Sequence, residues 1–238
     1  MKIALIGYGK MGKEVDKIAT ERGHQISFRI AQENQHDIQS INQANTDVAI
    51  EFSQPESAFD NLKTLLSVPI PTVCGTTGWL EKQKDIEALA LQSQTAFFYA
   101  SNFSLGVNIF FKLNEILAKI MNAHPQYKVA IEEVHHTEKK DAPSGTAITL
   151  AKGILKNYSH KAAWVNHHTD KPDELEIISK REPNVPGTHS ITYTSTEDFI
   201  EIKHEAFSRK GFALGAVLAA EFIQNKKGVF GMNDLIHL

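Results

Sequence analysis

Cysteine is nearly missing from this 238-residue chain: Cys74 is the only one. No intramolecular disulfide can form, which excludes a small cross-braced secreted fold and makes a reducing cytosol the expected compartment. No apolar run approaches the length of a membrane span. The run Met1-Lys2-Ile3-Ala4-Leu5-Ile6 meets Gly7 too early for a signal peptide. Positive charge is not in excess either. The 25 Lys and Arg face 28 Asp and Glu, for a formal net charge of -3, so no basic footprint points to nucleic acid. There is no internal repeat and no low-complexity tract. What is present is ordinary for a soluble globular protein, 42% hydrophobic and 22% charged. The length suits one large domain or two small ones with a substantial core.

Polar chemistry concentrates between Glu132 and Ala147. His135, His136, Lys139 and Lys140 come just before Asp141-Ala142-Pro143-Ser144-Gly145-Thr146. Pro143 disfavours helix in the residue before it, and Ser144 can cap a helix running through Ala147-Ile148-Thr149-Leu150-Ala151-Lys152. A helix start exposes unpaired N–H groups and the positive end of the peptide dipoles. Small residues at Ser144, Gly145 and Thr146 let an anion approach them. The same composition also describes a polar loop ahead of a well-capped helix.

The first hundred residues read as a nucleotide-binding half. Ile3-Ala4-Leu5-Ile6 suits a strand buried on both faces. It runs into Gly7-Tyr8-Gly9-Lys10-Met11-Gly12, a G-x-G-x-x-G followed at helical spacing by Val15, Ile18 and Ala19. A second strand follows at Ile26–Ile30. That context gives the glycines meaning: Gly7 for a tight turn, Gly9 for close approach of a pyrophosphate, Gly12 for helix–strand packing. The usual acid for the ribose hydroxyls is not clearly present: the second strand ends Ile30-Ala31-Gln32-Glu33, where position 31 has no acid and Glu33 lies farther along than the usual place. Arg29 meets a 2′-phosphate only if it points that way, so NADH and NADPH both stay open, with a lean to NADPH. Further strands are expected at Val48–Phe52, at Ile70–Cys74 and at Thr95–Ala100. Pro71 suggests an edge or first-residue position there. Ser53-Gln54-Pro55-Glu56 reads as a capping box, and helices are expected after it and near Glu81–Gln92. Gly75-Thr76-Thr77-Gly78 lies beyond a strand's carboxyl end, where open α/β sheets bind ligands. The alternation predicts a Rossmann-like, doubly wound parallel sheet.

A break at Ser101-Asn102-Phe103-Ser104-Leu105-Gly106 marks the domain boundary. The helical stripe Val107, Phe110, Phe111, Asn114, Leu117 and Met121 reads as core. In the strand after it, Val129, Ile131, Glu133 and His135 share one face and His136 points the other way. This argues against the alternative that Glu133, His135 and His136 bind a metal, as in a hydrolase, since adjacent strand residues rarely chelate one ion; no metal site is expected. A polar stretch covers 157–174. Strands are then expected at Leu175–Arg181, His189–Thr194 and Phe199–Phe207. The second domain is thus α+β with a mixed or antiparallel sheet, spanning 105–207. A last helix and a closing segment return to the first domain, 1–104 and 208–238.

The chain resembles the dihydrodipicolinate reductase family, also called 4-hydroxy-tetrahydrodipicolinate reductase, of bacterial lysine and diaminopimelate synthesis. The most specific block is Glu133-Val134-His135-His136, then Lys139, then Asp141-Ala142-Pro143-Ser144-Gly145-Thr146-Ala147. The blocks Gly7–Gly12, Glu51-Phe52-Ser53, Gly75–Gly78 and Ser101–Asn108 match in order, so the likeness runs from end to end. Arg181-Glu182-Pro183 departs from the family's more glycine-rich loop. The resemblance implies reduction of a cyclic imine dicarboxylate, a small molecule, by NADPH or NADH. It implies that Gly7, Lys10, Met11 and Gly12 hold the pyrophosphate. Gly75, Thr76 and Thr77, with Ser101, Asn102 and Phe103, would line the nicotinamide. His136, Lys139, Gly145 and Thr146 would bind substrate, with His135 and Lys139 as the catalytic pair. It further implies a cytoplasmic homotetramer that closes its domains over both ligands. Runner-up readings are another imine or carbonyl reductase of this architecture and a dinucleotide sensor without turnover.

Overall fold

A computed structural model describes residues 1–237. In chain order the elements are β1 (Lys2–Ile6), α1 (Lys10–Glu21), β2 (Gln25–Ile30), β3 (Val48–Glu51), α2 (Pro55–Ser67), β4 (Thr72–Cys74), α3 (Gln83–Gln92) and β5 (Ala96–Tyr99). Then come α4 (Leu105–Met121), β6 (Lys128–His135), α5 (Gly145–Asn157), β7 (Ala163–Val165), β8 (Glu174–Arg181), β9 (Thr188–Thr194) and β10 (Phe199–Glu205). The chain ends with α6 (Lys210–Ile223), β11 (Gly228–Phe230) and α7 (Met232–Leu235). Two compact units result. The first is residues 1–105 together with Arg209 onward; the second is Gly106–Ser208. The sequence reading had set the boundaries at 104/105 and 207/208. Among the described residues no helix is long and apolar enough to cross a membrane.

The first unit is a doubly wound sheet. Its strands run in the order β11-β5-β4-β3-β1-β2, and every pair is parallel. The apolar run Ile3–Ile6 is fully buried because β1 is an inner strand. Val15, Ile18 and Ala19 of α1 join Ala213, Ala216, Val217 and Ala220 of α6 over one set of strand residues. Ala58, Leu62 and Leu66 of α2 and Ile86 and Ala90 of α3 cover Cys74 and Phe97. Chain order reverses between β1 and β3, and such a switch point leaves a crevice at the strands' carboxyl ends.

One local expectation for this unit is corrected, and of the two positions expected for Pro71 the start of the strand holds and the edge does not. The cap of α2 is Gln54, which makes no side-chain cap bond, with proline in the first turn. Ser53 instead donates its hydroxyl to the buried Glu51 carboxylate. That acid, two residues before the serine, competes successfully for its hydroxyl. The proline at 71 does not mark an edge: β4 lies between β3 and β5. Pro71 precedes the strand and supplies only its carbonyl, to Ala49 N–H at 2.9 Å, so the missing donor costs no ladder bond.

The second unit is a mixed sheet in the order β10-β9-β6-β8-β7. β6 is central, antiparallel to β9 and parallel to β8. Its alternation is as expected: Val129, Ile131, Glu133 and His135 are all buried. Ile131, Ile177, Ile191 and Tyr193 form the core with Leu150, Ala151 and Ile154 of α5 and Phe110, Ala118 and Met121 of α4. The polar stretch 157–174 holds the short β7, which the sequence reading missed because three residues carry no readable period. The outer side of α4 also went unread. Ile109, Leu113, Ile116 and Ile120 form a second, exposed apolar stripe.

Candidate active site

The G-x-G-x-x-G turn of the first unit has the geometry of an anion cradle. Gly7 has φ +93°, and a Cβ there would run into the Phe52 carbonyl; only glycine accepts both conditions. A Cβ at Gly12 would meet the Gly7 carbonyl, whereas one at Gly9 would meet nothing within 4 Å. The space is thus open at the residue expected to face a pyrophosphate. Helix α1 starts at Gly9 without a side-chain cap, so its first N–H groups are available. Lys10 is exposed, and Tyr8 and Met11 are half-buried. The Tyr8 hydroxyl donates to Asp16 at 2.6 Å.

Arg29 is turned to the same carboxylate, at 2.6 and 3.2 Å. Burial opposes ionisation of Asp16. The Arg29 guanidinium and the Tyr8 hydroxyl outweigh it, and the carboxyl falls below its ordinary value. Arg29 is therefore engaged with Asp16, a residue the sequence reading did not single out.

The remaining first-unit candidates follow β4 and β5. Gly75 abuts Phe52, whose ring occupies the space a Cβ would need. Thr76 is buried with its hydroxyl lacking a hydrogen-bond partner; Thr77 and Ser101 are exposed. Asn102 accepts from Ser104 N–H at 2.9 Å. Phe103 is buried against Phe52 and Phe98, with ring centroids 5.5 and 5.9 Å away. All these residues lie beyond the carboxyl ends of strands in one parallel sheet. An open glycine turn, an uncapped helix start and an unpartnered buried hydroxyl fit a dinucleotide.

In the second unit the period-2 pleat of β6 puts Glu133 and His135 on one buried face. His136 follows the strand, half-buried, with its Nδ1 enclosed and lacking a hydrogen-bond partner. A turn closed by Lys139 N–H on the His136 carbonyl, 3.1 Å, carries Lys139 back. Its ammonium donates to Asp141 at 2.8 Å, holding that carboxyl below its ordinary value. Ser144 caps α5 as expected, accepting from Ala147 N–H at 3.2 Å. Its carbonyl takes Ile148 N–H. Gly145 and Thr146 thus lead the helix with N–H groups ahead of its ladder, and a Cβ at Gly145 would meet nothing within 4 Å. Ser144 itself is buried, its hydroxyl 3.1 Å from His189 Nε2.

Two members of this cluster went unseen in the sequence. His189 lies opposite Glu133 in the β6–β9 register, and Arg181 lies opposite His135 in β6–β8. Arg181 ties down the loop after β6, donating to the Lys139 carbonyl at 3.3 Å and to the Asp141 carbonyl at 2.5 Å. It also faces Glu133 Oε1 at 3.4 Å. Burial alone would raise the Glu133 carboxyl. The neighbouring His135 ring and Ser144 outweigh that, and the group falls far below its ordinary value. Burial, followed by the charge of His135, pushes His189 down to about 4.

Glu133, His135 and His189 offer ligand atoms all within 4.8 Å of one another; the grouping weighed from the sequence was Glu133, His135 and His136, and His189 was not in it. The carboxylate already faces the Arg181 guanidinium and the Ser144 N–H, which leaves little negative charge for a divalent cation.

Comparison with known proteins agrees from end to end. Residues 1–103 match the family model "Dihydrodipicolinate reductase, N-terminus", and residues 106–236 match "Dihydrodipicolinate reductase, C-terminus". The 4-hydroxy-tetrahydrodipicolinate reductase of Christiangramia forsetii is 49% identical, covering 99% of this chain and 98% of that one. The protein of the same name from Thermosipho africanus is 35% identical, over 99% and 98%. Among solved structures, the dipicolinate-bound dihydrodipicolinate reductase from Paenisporosarcina sp. TG-14 superposes with TM-score 0.79. It is 22% identical and covers 98% of each chain.

Proposed function

Since the chain belongs to the dihydrodipicolinate reductase family and is a pyridine-nucleotide-dependent oxidoreductase of lysine and diaminopimelate synthesis, we propose that its two units divide the reaction. The first unit holds the coenzyme, with Gly7, Gly9, Lys10, Met11 and Gly12 at the pyrophosphate. Gly75, Thr76, Thr77, Ser101, Asn102 and Phe103 border the nicotinamide. The second unit holds the dicarboxylate. When bound, the reduced coenzyme supplies the hydride. The chain's own residues supply orientation, charge and a proton.

One observation carries the substrate half of this reading: His135, Lys139 and the open N–H groups of Gly145 and Thr146 are gathered where β6 passes into α5. The helix start takes one carboxylate. Ser144 supports it from behind, since its hydroxyl is turned inward. Lys139 and His136 meet the remainder of the dianion. His135 and Lys139 are the proton-delivering pair. A positioned donor stabilises a transition state by about 3–5 kcal/mol, from the usual 10²–10⁴-fold effect. The dipicolinate held by the Paenisporosarcina relative, a flat dicarboxylate, supports this substrate class.

Both NADH and NADPH are accepted in this reading, because Arg29 is engaged with Asp16 and no acid ends β2 to repel a 2′-phosphate. We place the enzyme in the cytoplasm and read it as a homotetramer. The exposed stripe Ile109, Leu113, Ile116 and Ile120 supports self-association through the second unit.

The test is an absorbance assay of nicotinamide oxidation with the enzymatically made imine, run with each coenzyme. Turnover with both, inhibited competitively by 2,6-pyridinedicarboxylate, is expected. No turnover with either rejects the assignment. Gly145→Val probes the cradle, because the protein leaves room for the side chain and only an incoming ligand loses space. KM for the imine should rise about tenfold, roughly 1.4 kcal/mol, with the coenzyme KM unmoved. An unchanged imine KM would show that the carboxylate binds elsewhere.

A further inference from the structure

We infer that Glu133 is a positioning residue: one enclosed carboxylate sets the ring of His135 through Oε2 and the start of α5 through Oε1. This deepens the assignment of His135 as a catalytic residue and rests on it.

Glu133 is 0% exposed in the middle of the sheet face. Its Oε1 accepts the Ser144 N–H at 3.0 Å and faces Arg181. Its Oε2 lies 3.2 Å from His135 Nδ1 and 3.7 Å from His189 Nε2. Neither Oε2 nor His135 Nδ1 has a well-aligned hydrogen bond, although both are shut off from solvent. A buried carboxylate oxygen needs a donor. Of the two imidazoles beside it, His189 Nε2 is the farther and already lies 3.1 Å from the Ser144 hydroxyl, and the Ser179 hydroxyl is donated to Asn166 at 2.9 Å. His135 Nδ1, at 3.2 Å, is thus the donor assigned to Oε2, and catalytic bonds of this length commonly shorten when ligands bind.

A proton held on Nδ1 leaves Nε2 as the working nitrogen of His135: in the imidazolium it carries the proton that is delivered, and once that proton has gone the neutral ring keeps its hydrogen on Nδ1. The surroundings agree. Nε2 faces Gly187, where a Cβ would come to 3.1 Å, so a side chain is lacking on the side where this nitrogen must be reached. The separation of Glu133 from His135 is set by the pleat, two residues along one strand, and does not depend on a flexible loop. A single group thus fixes the donor and the dicarboxylate cradle relative to each other.

The test combines imidazole ¹⁵N spectra of histidine-labelled protein with steady-state kinetics. The His135 signals are identified by their loss in His135→Gln. In the unsubstituted protein the His135 ring should show the Nδ1-protonated form. In Glu133→Gln, whose amide can turn its NH₂ toward the ring, that form should be lost or mixed. kcat should fall on the order of tenfold, as for a slightly misplaced reacting group, with coenzyme KM unchanged. Glu133→Asp should restore the tautomer and part of kcat. A neutral His135 ring in the unsubstituted protein with its hydrogen on Nε2 and Nδ1 bare overturns the proposal even if no variant folds. So does a folded Glu133→Gln with kcat and tautomer unchanged. A fall in kcat with an unchanged tautomer also overturns it, since that is what a merely structural carboxylate would produce. Absence of imine turnover by the unsubstituted protein defeats the functional reading instead, and the tautomer still judges Glu133.

Discussion

Lys139→Ala is expected to lower kcat about 10³-fold, within the range for loss of a general acid, and to leave the coenzyme KM within twofold. The size follows from what the side chain does and what survives without it. Its ammonium is partnered by Asp141 in the loop that leads into α5 and is only 22% exposed. The loop does not depend on that side chain. Arg181 holds it through the carbonyls of Lys139 and Asp141, and a backbone turn closes it. The substitution therefore removes a charge and a proton source while leaving the backbone in place. The glycine turn belongs to the other unit, which is why coenzyme binding is spared. Lys139→Arg should not restore the rate, because a guanidinium does not give up its proton near neutral pH. Steady-state kinetics with saturating imine measure this, and a kcat within threefold of the parent would remove Lys139 from the chemistry.

Acid should loosen the second unit well before carboxylates ordinarily protonate. His189 is 4% exposed, and its pKa is depressed to about 4 from 6.5. Below pH 6.5 the unfolded chain binds a proton there that the folded chain refuses. Stability therefore falls as pH drops through this window, and the loss is complete near pH 4. A shift of this size corresponds to about 3 kcal/mol at 1.36 kcal/mol per unit. Glu133 acts in a second, lower window. Its carboxyl is also depressed, so its contribution is complete above pH 4.5 and fades below it. Urea midpoints at pH 7, 5.5 and 4.5 would measure the first window. His189→Gln keeps a polar partner for Ser144 and should flatten the decline between pH 6.5 and 4.5. A parent protein equally stable at all three values would refute the assignment.

Much of this site could be read along the chain because its chemistry is local. The alternation of Val129, Ile131, Glu133 and His135 needs only the period of a strand. The Ser144 cap and the G-x-G-x-x-G turn need only a few neighbours. What escaped reading depends on which strands lie side by side. His189 and Arg181 reach Glu133 because β6 has β9 on one flank and β8 on the other, and strand order within a sheet leaves no trace in hydrophobic period. The Asp16–Arg29 pair escaped for a related reason. A helix residue and a strand residue meet only when α1 folds back over β2. Ser53 shows competition between local signals: its spacing to Glu56 suits a capping box, yet a buried acid two residues before it takes the hydroxyl.

The return of the chain to its first unit bears on the order of assembly during synthesis. Residues 106–208 are contiguous and leave the ribosome as a complete set. The sheet of the first unit does not, for it lacks its strand β11 and the covering helix α6 until the whole second unit has been made. Domains generally fold as units while the chain emerges. The lobe that starts before its neighbour is thus completed after it, and a stop codon just past Ser208 would strike the first lobe while sparing the second.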